Sequence, residues 1–123
     1  MDLGLRDRVA IIGGSSRGIG RAIALAFAQE GASVTICART EADLRRTEIE
    51  LARIGSQHHV LAIPADLSSA RDIRRVVRDT INRFGQVGIM VTHVGFGPVG
   101  RPSEFSDETI MEAMEHNFLS AIR

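Results

Sequence analysis

The chain has 123 residues, fifteen acidic and fifteen basic, and all fifteen basic residues are arginine; lysine, tyrosine and tryptophan are absent. Those zeros exclude a tyrosine general acid, a lysine Schiff base and a P-loop lysine among this chain's own residues. Balanced, interspersed charge points away from nucleic acid and membrane partners. The lone Cys37 offers no disulfide or zinc framework, and no run reaches signal-peptide or transmembrane length. The expectation is one soluble, cytoplasmic domain spanning 1–123.

Short β-branched runs alternate with longer helical patterns. Val9-Ala10-Ile11-Ile12 reads as a strand buried on both faces. A helix follows, with Ile19, Ala22, Ile23, Ala26 and Phe27 on one stripe and Gly31 at its end. Ser33 to Ala38 is the second strand. Thr40 with Asp43 predicts a capping box for a helix that Gly55 closes. His59 to Ile63 is the third strand. Ser69 with Asp72 predicts a second capping box, and Ile73, Val76, Val77, Thr80, Ile81 and Phe84 form the stripe of a helix ending at Gly85. Gly88 to Thr92 is the fourth strand, and Gly95 to Pro102 is a loop. Ser106 caps a last helix that carries Ile110, Ala113, Met114, Asn117, Phe118 and Ala121 on one face.

Repeated βα units of this kind demand parallel pairing with right-handed crossovers. The expected fold is α/β, a Rossmann-like open parallel sheet of four strands with helices on both faces. Ligands bind such sheets beyond the carboxyl ends of the strands. The first of those exits, Gly13-Gly14-Ser15-Ser16-Arg17-Gly18-Ile19-Gly20, joins a strand to a helix, as a phosphate site requires. It lacks the Walker lysine, and its spacing is Gly14-x-x-x-Gly18-x-Gly20.

The segment Val9 to Ala24, VAIIGGSSRGIGRAIA, resembles the opening of the classical short-chain dehydrogenase/reductase family, with Gly13 in place of the threonine of Thr-Gly-x-x-x-Gly-x-Gly. The resemblance continues through Asp66-Leu67 after strand three, Gly95 after strand four, and Asn117 in the last helix. It implies a nicotinamide dinucleotide with its pyrophosphate at the glycine loop, held by Gly14, Ser15, Ser16, Arg17, Gly18, Ile19 and Gly20, and its adenine beside Asp66 and Leu67. From spacing alone, Asp66 reads equally well as a turn aspartate. Thr92-His93-Val94-Gly95 stands where the family has Asn-Asn-Ala-Gly and keeps only the glycine.

Strand two ends Cys37-Ala38-Arg39, with alanine where a carboxylate would hold the ribose hydroxyls of NAD(H). Arg39 and Arg17 can converge on a 2′-phosphate, which favours NADP(H), while the nearby Glu41 argues the other way. Asn117 on an apolar stripe needs a hydrogen-bond partner. By resemblance it is the asparagine of a catalytic tetrad whose serine, tyrosine and lysine follow later in the family's chains. His58, His59, His93 and His116 lack ligand spacing, so no metal is expected. Arg71, Arg74, Arg75 and Arg78 read as a solvated helix face.

Hydride transfer to a carbonyl needs an acid for the developing alkoxide, and free tyrosine titrates near ~10, so the family lowers it with a neighbouring lysine. Neither residue is present. The chain therefore reads as the cofactor-binding half of an NADP(H)-dependent oxidoreductase acting on a carbonyl or secondary alcohol. It is either a fragment or a truncated product; the alternatives are a non-catalytic dinucleotide-binding module and an inactive truncation. Its fourth strand and last helix should be exposed, favouring self-association into a homo-oligomer or a poorly folded last helix.

Overall fold

The structure, a computed structural model, describes residues 2–93 and 97–123. Four strands, β1 (Val9–Gly13), β2 (Ser33–Ala38), β3 (Val60–Pro64) and β4 (Ile89–Val91), form one parallel sheet in the order β3-β2-β1-β4. The chain builds outward from β1 to β3 and then crosses to the other side of β1 for β4. The strand order thus reverses beside β1, which opens a crevice at the carboxyl ends of β1 and β4.

The helices are α1 (Gly18–Gln29), α2 (Glu41–Ile54), α3 (Ala70–Phe84) and α4 (Asp107–Met114). One core joins Ala10, Ile12, Val34, Ile36 and Val60 of the sheet to Ala24 and Ala28 of α1 and Leu44 and Leu51 of α2. The other joins Ile11, Cys37 and Ile63 to Val76 of α3. Adjacent residues of β1 therefore feed opposite cores, as a strand covered on both faces requires.

The face that α1 buries differs from the expected stripe. Gly20, Ala24 and Ala28 are buried, Ile23 and Phe27 pack at the margin, and Ala22 and Ala26 are exposed. Small residues at i, i+4 and i+8 let the helix approach the sheet closely: a Cβ on Gly20 would collide with the carbonyl oxygen of Gly14. Ile19 is left 65% exposed at the helix start.

The cap predictions divide. Ser69 accepts from the amide of Asp72, as expected, but the Asp72 carboxylate turns to the amide of Asp66 and completes no reciprocal box. Thr40 occupies the N-cap position of α2 without a side-chain cap bond. Residues 57–59 form a 3₁₀ turn whose start is capped by Ser56, so β3 begins at Val60, one residue later than expected. Gly85 takes the left-handed conformation, φ 84°, that ends α3. α4, capped by Ser106, runs into a π-helical segment, Glu115–Leu119, and a final turn, Ser120–Ile122, with no buried residue in any of the three.

Candidate functional site

The glycine loop is held from beneath by one side chain. Ser15, fully buried, donates from Oγ to the carbonyl of Ile12 at 2.7 Å and accepts from the amide of Cys37 at 3.0 Å. Its own amide donates to the carbonyl of Cys37. This bridge ties the loop to the ends of β1 and β2. From the α2 side, Thr47 Oγ1 donates to the carbonyl of Ser16 at 3.0 Å. Burial pushes the Cys37 thiol up to about 12, so it is inert at neutral pH.

The loop then turns through two left-handed glycines, Gly14 and Gly18, both at φ 60°. A Cβ on Gly14 would collide with the carbonyl oxygen of His93, at the exit of β4, whereas one on Gly18 would meet nothing within 4 Å. Gly14 is thus glycine for packing and backbone, and Gly18 for backbone and for the open space beside it.

Gly18 begins α1, and that helix start is electrostatically unlike the others. α2 has Glu41 and Asp43 in its first turn, α3 has Asp72 and the Ser69 cap, and α4 has Asp107, Glu108 and the Ser106 cap. α1 has neither an acidic residue nor a side-chain cap. Its first-turn amides remain available to an external anion, with the helix dipole behind them.

A cavity of about 500 Å³ opens at this point. Gly14, Ser16, Arg17, Gly18 and Ile19 line it from the glycine loop; Ala38, Arg39 and Thr40 from the exit of β2; Asp66, Leu67 and Ser68 from the exit of β3; and His93 and His116 complete it. Eight expected residues are therefore brought together: Gly14, Ser16, Arg17, Gly18, Ile19, Arg39, Asp66 and Leu67. Ser15 and Gly20 lie behind the loop and hold its shape. Gly95 falls outside the described residues.

Among the described residues, neither Arg17 nor Arg39 forms an ion pair or a side-chain hydrogen bond, while Arg21, Arg45 and Arg46 are engaged with Glu50, Glu48 and Asp43. Across from them, Asp66 Oδ1 accepts from the amide and hydroxyl of Ser68, at 2.9 and 2.7 Å. Those bonds hold the Asp66 carboxyl below the usual carboxylate range, against partial desolvation and with help from the charges of Arg39 and His116. Its Oδ2 has no hydrogen-bond partner among the described residues and can accept from a ligand.

Asn117 does not line the cavity. It is exposed in the π-helical segment, and its Nδ2 donates to the carbonyl of Ala113 at 2.8 Å. π-helical turns inside α-helices recur at functional sites because the extra residue frees backbone groups from the regular ladder. His116, one residue earlier, is the member of that segment that reaches the cavity. The Arg123 guanidinium donates to the carbonyl of Ser68 at 3.1 Å and pairs with Glu115, which ties the segment to the β3 exit.

The sequence leaves the role of His93 open, and the structure brings the residue to the cavity. Its Nδ1 is shut off from solvent and has no hydrogen-bond partner among the described residues, although the residue lines the cavity. The uncapped start of α1 and the open space at Gly18 make a cradle that fits a phosphate-bearing ligand.

The family to which these features belong is established by comparison with known proteins. The model of the short-chain dehydrogenase family matches residues 8–123, and the chain belongs to that family. It is 35% identical over 123 residues to YvrD, an uncharacterized oxidoreductase of Bacillus subtilis (strain 168), covering all of this chain and 45% of that protein. It is 35% identical over 115 residues to the L-fucose dehydrogenase of Rattus norvegicus, covering 93% of this chain and 40% of that one. The L-sorbose reductase of Gluconobacter frateurii, solved with NADPH and L-sorbose, superimposes with a TM-score of 0.90 at 33% identity, covering 99% of this chain and 46% of that structure. The chain spans less than half the length of these relatives.

Proposed function

We propose that this chain forms the cofactor-binding half of an NADP(H)-dependent oxidoreductase that reduces a carbonyl or oxidises a secondary alcohol. The observation that carries the reading is the cavity at the strand ends, where an uncapped helix start meets the guanidiniums of Arg17 and Arg39, which form no ion pair or side-chain hydrogen bond among the described residues. The start of α1 and Gly18 would receive the pyrophosphate. Arg17 and Arg39 would hold the 2′-phosphate, because a planar guanidinium matches phosphate oxygens and no carboxylate stands at Ala38 to repel them. Glu41 does not line this cavity. Asp66 would accept from the adenine amino group through Oδ2. NADPH bound to the L-sorbose reductase agrees with this choice.

When bound, the nicotinamide supplies or accepts the hydride. This chain's residues bind and orient it; they contain no tyrosine or lysine to move the accompanying proton. Asn117, by its family position and its π-helical setting, belongs to the proton path, and the acid itself must come from residues outside this sequence. The same composition supports a second reading, a dinucleotide-binding module that does not turn its ligand over.

Titration with NADPH and NADH, followed by nicotinamide fluorescence, tests the first step. Tighter NADPH binding is expected; tighter NADH binding refutes the arginine assignment, and binding of neither refutes the dinucleotide reading. An assay of the 123-residue chain with carbonyl substrates is expected to show no turnover, and turnover would refute the division of labour.

A further inference from the structure

We propose that α3 is a docking surface for the last helix of a second copy of this chain, which lays its acidic, apolar face along an arginine-flanked groove of α3. The inference is independent of the dinucleotide reading, because none of the residues it uses lines the cofactor cavity.

The groove has a volume of about 490 Å³. Ile73, Val77 and Ile81, spaced four residues apart, line it together with Arg74, Arg78 and Arg123. As a whole α3 carries five arginines and two aspartates. Arg71 and Arg75 lie beside Asp72, and Arg78 pairs with Asp79 at 3.0 Å, while Arg74 forms no ion pair among the described residues. Positive charge in excess therefore stands beside an apolar strip, which a merely solvated helix face would not have. Of the last helical segment of the same copy, only Arg123 lines the groove.

The last helix has the complementary chemistry. From Asp107 to Ile122 it carries four carboxylates and no arginine. Asp107, Glu108 and Glu112 are exposed and form no ion pair among the described residues, whereas Glu115 is held by Arg123 of its own copy. Ile110, Met114, Phe118 and Ile122, again four residues apart, are exposed. Ridges of residues four apart interdigitate in the commonest class of helix packing. The charges then choose the mate, because opposite signs across a contact favour it and like signs oppose it. A second last helix would bring four more carboxylates to the first. α1 offers only Arg21, which Glu50 engages, and α2 carries four carboxylates against three arginines. Among the helices, α3 alone joins several arginines to an accessible apolar strip.

Sedimentation velocity of four samples tests the contact: the parent chain, Arg74→Glu with Arg78→Glu, Glu108→Arg with Glu112→Arg, and an equimolar mixture of the two double variants. All four positions are exposed and lie outside both cores. The parent chain is expected to associate, and each double variant alone to associate about tenfold more weakly or less. The mixture should restore association, because its reversed charges are opposite once more. Raising salt from about 0.05 to 0.5 M should weaken association of the parent chain roughly threefold or more, where a purely apolar contact would hold or tighten. The salt arm needs no substitution, so it decides even if a variant fails to fold. Association of Arg74→Glu with Arg78→Glu equal to that of the parent overturns the inference, since the last helix must then pair with another surface, such as a second last helix. A mixture that stays monomeric although circular dichroism shows both variants folded overturns it too. So does a parent chain that is monomeric at every concentration, or one whose association salt leaves unchanged or strengthens.

Discussion

Ser15 and Cys37 are locked together across the first two strand ends: the amide of Cys37 donates to Ser15 Oγ at 3.0 Å, and the amide of Ser15 returns a bond to the carbonyl of Cys37 at 3.3 Å. Ser15 Oγ also donates to Ile12. Ser15→Ala would leave the Cys37 amide without its acceptor in a fully buried place. The expected loss is about 1–3 kcal/mol of stability, read from the urea midpoint, with weaker NADPH binding as the loop loosens. A midpoint equal to that of the parent chain would sink this account.

Gly14 and Gly18 share a backbone conformation but not surroundings, so alanine should separate two effects. Gly18→Ala meets only the left-handed strain of about 1–2 kcal/mol, and its methyl occupies the open space where a phosphate would rest. Gly14→Ala meets the same strain plus a collision with the carbonyl of His93. Thermal denaturation should show Gly14→Ala as the less stable variant. Gly18→Ala should fold and lose NADPH affinity; equal losses of stability at the two positions would contradict the geometry.

Much of this was legible in the sequence, for physical reasons that also mark its limits. The run Val9-Ala10-Ile11-Ile12 was legible because a strand covered on both faces has no polar alternation, and Gly85 marked a helix end because only glycine takes that conformation freely. The stripe of α1 was misread because periodicity weights large side chains, while close helix–sheet packing is made by the small ones, Gly20, Ala24 and Ala28. Asp72 looked like half of a reciprocal cap, since local spacing cannot show that the amide of Asp66 is a competing donor. His93 and His116 enter the cavity only through the crossover to β4 and the return of the last helix. No spacing of residues encodes that proximity.

Asp66 gives the site an acid limit. Its carboxyl is held low chiefly by the two bonds from Ser68, so this contribution to stability is present above the unfolded value near ~3.9 and is lost as pH falls below it towards the folded value. Ser68→Ala removes the hydroxyl bond and should raise the Asp66 pKa towards normal, flattening the acid side of the stability curve. Carboxyl NMR titration of both chains measures the shift, and an unmoved Asp66 would show that Ser68 is not the cause.

Ala38 should set cofactor choice together with Arg39, since both line the cavity at the exit of β2. A carboxylate introduced by Ala38→Asp would face the 2′-phosphate as a like charge and offer the ribose hydroxyls an acceptor. NADPH affinity should fall by about tenfold or more, and NADH affinity should hold or improve. Fluorescence titration of the variant with both cofactors gives the ratio. An unchanged ratio would mean that the 2′-position is recognised elsewhere.

The last helix presents its apolar residues to solvent. Ile110, Met114 and Phe118 are 45, 47 and 53% exposed, and Met90 on the edge strand β4 is 52% exposed. Contiguous apolar surface and an unpaired strand edge both drive association, because each removes area from water or satisfies backbone groups that water satisfies less well. The chain should therefore sediment as a concentration-dependent mixture rather than as a monomer. Met114→Glu with Phe118→Glu places two charges on that face without touching either core, so the fold should survive and the mixture shift to monomer. If the parent chain is monodisperse at every concentration, the face is not adhesive. If the double variant associates as strongly as the parent, the contact runs through the β4 edge instead, and Met90→Arg becomes the variant that should disperse it.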